Sequence, residues 1–301
     1  MSAAAPMPGP PPLLSGDARM RRRKLVNRAM ELTASLAALV AVAVLAIVIA
    51  SVVIRGIGAI NLDFFTHSEV PFGESGGGIA NAIVGTIVMV ALASLMAIPV
   101  GILIGIHTAE FAGARISSAV RFALDILNGV PTIVTGIFVF GLLVFGKQQS
   151  AWAGAFALAI IMLPIVARSA HEVLALVPES LKEGCLALGI TRWRTVLRVV
   201  LPTAAGGLIT GALLSVARVA GETAPLLFTT SIVATTGVSA DPSKALASIP
   251  VRIFELSEGA SPSEHAEGWA AALLLIFFVL LLNVLARGIY TRTSRHIRRA
   301  R

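Results

Sequence analysis

Residues 183–202 read EGCLALGITRWRTVLRVVLP, a long polar and basic interruption in a chain that is otherwise mostly fit for lipid. With Glu183, Arg192, Arg194 and Arg198 in it, this stretch has to sit in water. It reads as two short helical pieces broken at Gly189, where a residue without Cβ adopts the left-handed turn that stops a helix. Thr191 is placed to cap the second piece. Upstream, Gly184, Cys185, Ala187 and Gly189 keep the first piece thin, so another protein's surface can approach its backbone closely. Downstream, Arg192, Arg194 and Arg198 supply a basic face, and Trp193 a large anchor of the kind that interface centres favour.

The chain around this loop is a membrane chain. Of 301 residues, 56% are hydrophobic and 13% charged, and the mean hydropathy is +0.87, too apolar for a soluble core. Length therefore counts spans rather than globular domains. A net charge of +8 and a pI near 10.9 suit nucleic acid on their own. The basic residues cluster beside apolar runs, however, and aromatics to stack bases are few, so the charge reads as cytoplasmic juxtamembrane charge beside lipid, with no nucleic-acid partner. One cysteine, Cys185, excludes an internal disulfide and reads as a small residue before a reactive thiol.

In chain order, residues 1–29 form a Pro- and Ala-rich, then basic, tail expected to be disordered and cytoplasmic. Residues 30–54 are the first span, longer than the roughly 7–15 residues of a signal-peptide core. Residues 55–78 are acidic, glycine-rich and expected outside, with Asp63, Glu69 and Glu74. Their GIGAIN lacks the third glycine and the strand context of a dinucleotide fingerprint. The second span covers about 79–106, with Pro99 as a kink and Gly101/Gly105 as a small-residue packing face. An amphipathic cytoplasmic helix, 114–128, leads into a third span at about 131–145, where Thr132 and Thr135 offer hydroxyls at membrane depth. These hydroxyls suit either a passing oxyanion or bonds to their own backbone and neighbouring helices. GLLVFGKQ, 141–148, ends in Gln where a P-loop needs Ser or Thr and lies in an apolar run, so no ATP site is expected. The fourth span is about 151–167, kinked at Pro164. His171 beside Glu172 has no second His or Cys at ligand spacing, and no metal site is expected.

The fifth span, about 203–225, carries Gly207 and Gly211 for close packing and the costliest residues of the chain. Arg218 and Glu222 are spaced to share a helix face, and each costs about 2.5–3.5 kcal/mol near mid-bilayer if unpaired, so they must face protein or water. A rise of 1.5 Å per residue from Pro202 puts Arg218 roughly 24 Å along, in the outer half of the membrane. Two readings stand: Arg218 presents fixed charge to an entering anion with Glu222 limiting its retention, or the two form a structural or gating salt bridge. Residues 230–268 are expected outside, with an amphipathic helix at about 243–256 lying on the outer surface where a binding protein docks. The sixth span covers about 269–285, and a basic cytoplasmic tail, 287–301, closes the chain. Only Arg55, Lys147, Lys244 and Arg252 then lie outside, so both termini are inside. No internal repeat is visible, which sets aside many secondary transporters.

Between two apolar spans, the spacing of Glu183, Gly184, Cys185, Gly189, Val199, Leu201 and Pro202 resembles the EAA loop of ABC importer permeases, E-A-A-x3-G-x9-I-x-L-P. Glu183, Gly189, Leu201 and Pro202 match; Gly184 and Cys185 replace the alanines, and Val199 the isoleucine. An ordinary basic loop explains the arginines but neither the small residues nor their spacing. GGIANAIVGTIVMV (77–90), AIPVGILIGI (97–106), AEFA (109–112), LNGVPTIVTGIF (127–138) and ARVAGETAPLLFT (217–229) are similar to segments of the PstA-type permeases of phosphate ABC transporters, the last containing the GETAP run and Thr223. His107 departs from that pattern, which usually has Tyr.

The resemblance covers most of 76–285 and implies an all-α membrane protein of six transmembrane helices with the type I ABC importer (MetI-like) permease fold, its family domain being 79–286. It implies a coupling loop, 171–202, docked on an ATPase, and a translocation subunit that is no enzyme, with no catalytic residue or cofactor of its own. The implied partners are a homologous second permease (PstC-like), an ABC ATPase dimer (PstB-like) and an extracytoplasmic phosphate-binding protein (PstS-like), in a bacterial plasma (inner) membrane. It also carries the candidate pathway or gating residues Arg218, Glu222, Thr223, Thr132 and Thr135. Alternatives are a permease for sulfate or molybdate and, from another class, an ATP-independent channel or secondary transporter. No nucleophile and base stand at a spacing that suggests an intramembrane enzyme.

Overall fold

The computed structural model describes residues 17–69, 77–230 and 237–299, with side chains undescribed at 17–19 and 290–299. The expectations for the 1–16 tail, for Glu74 and for Arg301 lie outside the described residues. Those residues hold helices and turns and no strand. Five of the helices are long and apolar enough to cross a membrane, and a sixth crossing is available from a bent pair.

Residues up to Ser51 form one unit and residues from Val52 another. The first unit is most of α1 (Asp17–Gly56), which begins before the expected span and takes in the basic residues 19–28. Past Gly16 the sequence holds good helix formers and no helix breaker, and Asp17 lies at the positive end of the helix dipole. These residues are therefore the first turns of the helix, in place of the expected disordered tail. Its apolar side chains from Leu25 to Ile49 are exposed.

The second unit is built on two parallel helices, α3 (Ala80–Ile106) and α6 (Ala151–Ala175). A Cβ at Gly101 would strike Val166 and one at Gly105 would strike Ala170, so the small face expected of α3 is the seam where α6 approaches. Met89, Leu158 and Met162 are buried in that seam. α9 (Leu201–Val219) crosses back, its Gly207 against Val173 and its Gly211 against Ser169. α12 (Pro262–Arg299) runs antiparallel to α9, with the Thr210 hydroxyl donating to the Ala286 carbonyl at 3.2 Å. α12 continues through the expected C-terminal tail to Arg299.

The third span is short and sharply turned from the helix before it. α4 (Ala114–Gly129) and α5 (Thr132–Val139) meet at 91°, because Pro131 has no N–H to continue the helix and holds Val130 extended. α5 and the π turn Phe140–Val144 have eight and five residues, a rise of roughly 20 Å against a hydrocarbon core of about 30 Å.

One end of the bundle gathers α2 (Leu62–Thr66), the start of α6 and α11 (Ile249–Glu258); the Ala151 N–H donates to the Lys244 carbonyl at 2.8 Å. α11 starts later than expected, with Ser248 capping the Val251 N–H and Pro250 in the first turn. It does not lie free on a surface: Ile249, Val251, Arg252 and Leu256 are buried, and α12 covers them. Arg252 is ringed by Glu255 at 3.5 Å, Glu267 at 3.7 Å and Glu69 at 3.9 Å. Residues 231–236 of this outer stretch lie outside the described residues.

Candidate functional site

The polar loop is a helix–turn–helix at the other end of the bundle, formed by α7 (Glu179–Ala187) and α8 (Arg192–Thr195). Gly189 has φ +76°. The Gly189 N–H donates to Leu186 and the Ile190 N–H to Cys185, at 2.9 and 3.0 Å, which ends α7 in a Schellman motif. Thr191 occupies the cap of α8 without a side-chain cap bond. Pro202 cannot donate to the Arg198 carbonyl, and the helix resets its ladder just upstream in the π turn Val196–Val200.

The loop exposes what a lone surface would hide. Leu188 is 81% and Trp193 54% exposed, beside exposed Leu181 and Leu186. Glu183, Gly184 and Gly189 are exposed and Cys185 half-buried. A Cβ at Gly184 would meet nothing within 4 Å in this chain. Leu201 instead turns inward onto Leu174 and Val200, while Pro202 is exposed. The six residues thus divide between a surface and its root.

The second constellation lies along the bundle. Arg218, Thr132, Thr135 and Asn128 line one cavity of about 50 Å³, closed on its far side by Ile160, Ile161 and Ile165 of α6. Ile161 is ten residues into α6, so Arg218 sits about 15 Å from that helix's start, nearer mid-span than the outer half. Arg218 is exposed and Glu222 half-buried, and among the described residues neither makes an ion pair.

They also do not share a helix face. α9 ends at Val219, and Glu222 lies in the turn before α10 (Ala224–Thr229), with Thr223 at the cap of α10. Pro225 is the cause: its ring excludes the carbonyl of Gly221 four residues back and it offers that carbonyl no donor. The backbone instead turns through Gly221, whose N–H donates to Arg218, and α10 folds onto α5, with Pro225 against Gly136. The expected shared face and in-chain salt bridge are therefore absent in this structure.

The threonines separate into two groups. Thr86, Thr203, Thr210 and Thr229 each donate to the carbonyl four residues back. Among the described residues the Thr132 and Thr135 hydroxyls make no hydrogen bond, although Thr135 is buried to 9% exposure. Asn128 was not singled out from sequence; only the corner at Pro131 brings it beside Arg218. No cluster of His, Cys, Asp and Glu among the described residues is arranged to hold a metal.

Known proteins resemble this chain in sequence and in fold. Residues 97–299 match the family of binding-protein-dependent transport system inner membrane components. A phosphate transport system permease protein PstA of Pasteurella multocida is 37% identical over 91% of this chain and 97% of its own length. That of Yersinia pestis is 40% identical over 80% of this chain and 82% of its own. Among solved structures, the chain is similar in fold to a bacterial alginate ABC transporter in complex with an alginate-bound periplasmic protein, with TM-score 0.61 and 14% identity over 91% of this chain and 96% of that one. It is likewise similar to a MetNI methionine ABC transporter in inward-facing conformations, with TM-score 0.56 and 19% identity over 72% of this chain and 94% of that one.

Proposed function

This chain belongs to the family of binding-protein-dependent transport system inner membrane components, and on that premise we propose that it is the permease subunit of an ATP-driven importer of inorganic phosphate. It works beside a homologous second permease, an ABC ATPase dimer that binds the loop 171–202 from the cytoplasm, and an extracytoplasmic phosphate-binding protein. Closure of the ATPase dimer moves the loop, the loop moves the spans, and the chain contributes differential contacts to its two states while the ATPase contributes the energy.

The observation that carries this reading is the cavity at mid-span. An exposed guanidinium and two threonine hydroxyls, without hydrogen-bond or ion-pair partners among the described residues, converge where an unpaired charge is costly. Such a set suits a surface that meets water, a second subunit or a passing anion, and Arg presents a fixed fork to an oxyanion. Glu222 and Thr223 lie just beyond, in the turn that Pro225 forces, where they act on entry or gating. The exposed Leu188 and Trp193 give the ATPase an apolar hold.

The test is ATP-dependent uptake of labelled phosphate into vesicles holding the whole complex. Arg218→Gln is expected to lose uptake by about tenfold or more, and Arg218→Lys to keep part of it. Full uptake by Arg218→Gln would show that the charge is not needed. Competition by sulfate and molybdate checks the anion, and uptake that persists without the ATPase would refute the coupling.

A further inference from the structure

The end of α3 does not stop as a helix end normally does. It widens into a π turn, His107–Phe111, and α4, α6, α7 and α8 each place a side chain against that one turn. Thr108 Oγ1 lies 3.1 Å from His171 Nδ1 of α6, and the Thr108 carbonyl accepts from Ser117 Oγ of α4 at 3.0 Å. Lys182 Nζ of α7 lies 2.8 Å from Glu110 Oε1, and the Arg192 guanidinium of α8 stands 5.7 Å over the Phe111 ring. A second π turn, Val196–Val200, opens the next span, and Val196 lines with Glu110, Lys182 and Arg192 a common cavity of about 130 Å³. π turns collect at functional positions because they leave the helix ladder adjustable.

The Lys182–Glu110 contact is unlike the other loop charges. The side chains of Lys182 and Glu110 are 12% and 4% exposed, whereas that of Glu179, also paired with Lys182 at 3.3 Å, is 76% exposed. Burial alone would push the Lys182 ammonium down, but Glu110 and Glu179 outweigh it and hold it above its ordinary value, so it stays charged. A buried pair adds little net stability over an apolar one of the same size, yet it fixes one geometry and resists being drawn apart. Such a link transmits displacement. The thin exposed face of α7 meets a partner, and the opposite side of the same helix holds α3, whose Gly101/Gly105 seam carries α6 with it.

We propose that the π turn His107–Phe111 is where motion of the loop enters the spans, and that Lys182 is the positioning residue that makes this connection by its ion pair with Glu110. The proposal rests on the loop being the ATPase contact. The Lys182 side chain is buried against Glu110 rather than offered to that partner, so it acts through α3.

The experiment uses the complete complex in proteoliposomes and two readouts: phosphate imported per ATP hydrolysed, and the ATP-dependent change in thiol labelling of an Ile87→Cys probe on α3 in a Cys185→Ala background. Lys182→Met alone strands a buried carboxylate and is expected to lower the amount of assembled complex. Lys182→Met/Glu110→Gln removes both charges and is expected to restore assembly while phosphate per ATP stays down by about tenfold and the labelling change is lost. Lys182→Arg is expected to retain both readouts. A double variant that imports and labels as wild type does overturns the proposal, and so does one that fails to assemble, because the pair then serves stability. A wild-type complex that shows the labelling change but imports no phosphate would strike the substrate reading and leave the connection standing. A wild-type complex without the labelling change would sink the connection itself.

Discussion

Arg252 holds one positive charge among Glu69, Glu255 and Glu267, and the excess of carboxylate has a measurable consequence. Burial raises the Glu69 carboxyl to about 7, against the opposing pull of Arg252. Below about pH 4.5 Glu69 is protonated whether the chain is folded or not and has no effect on stability. Between there and pH 7 the folded chain keeps a proton that the unfolded chain has released, so stability falls as pH rises. The full loss, about 3 kcal/mol, is reached above pH 7. Glu69→Gln is expected to raise the unfolding temperature at pH 8 and leave it unchanged at pH 4, read by thermal scans in detergent; a parallel shift at both pH values would refute it. None of this cluster is legible in the sequence beyond the i,i+3 spacing of Arg252 and Glu255, because Glu69 and Glu267 reach Arg252 only after a loop and α12 have packed on α11. Arg218 was legible as costly, since charge in an apolar run stands out in any composition reading. Thr132 and Thr135 were singled out with it, but Asn128 was not, because it meets Arg218 only round the corner at Pro131.

Elements were easiest to read where one physical term dominates. Apolar length located the spans, and the glycine pair of α3 found its seam, since a missing Cβ is the condition for helices to touch. The failure sits where proline acts at a distance: Pro225 ends α9 six residues before its own position, so a face drawn through Arg218 and Glu222 does not exist. At Pro131 the break falls where the sequence separates the helix 114–128 from the span 131–145, and only its right angle is new. The glycines of α3 and α7 make opposite demands, and substitution separates them. Gly101→Leu has to displace Val166 and is expected to cost about 1–3 kcal/mol, seen as a lower unfolding temperature. At the exposed Gly184 a Cβ meets nothing within 4 Å, and Gly184→Leu is expected to leave that temperature unchanged, while copurification of the ATPase falls because the thin face is gone. Equal loss of fold in both variants would mean that Gly184 serves the chain alone; undiminished copurification would mean that the ATPase does not approach there.

At the scale of the whole molecule, the helix directions sort the loops into two sets before any charge is counted. α3 and α6 run parallel, and α9 runs against α6 and α12, so the turn 107–113 and the loop 171–202 share one end of the bundle. Residues 57–69, the start of α6 and α11 share the other. The first end carries Arg115, Arg192, Arg194 and Arg198, and the second Asp63, Glu69, Asp241, Glu255 and Glu258. A membrane potential and anionic lipid on the inner leaflet both favour the basic end inside. The loop that exposes Leu188 and Trp193 is then expected on the cytoplasmic side, where ATP is. Because Cys185 is the single cysteine of the chain, replacing it with Ala and placing a new one by Leu188→Cys gives one thiol at a highly exposed position of the loop. A membrane-impermeant maleimide is expected to label that thiol in inside-out vesicles and not in intact cells, and bound ATPase is expected to slow the reaction. Labelling from outside intact cells would invert the orientation and with it the coupling, since no nucleotide-driven subunit acts from that side.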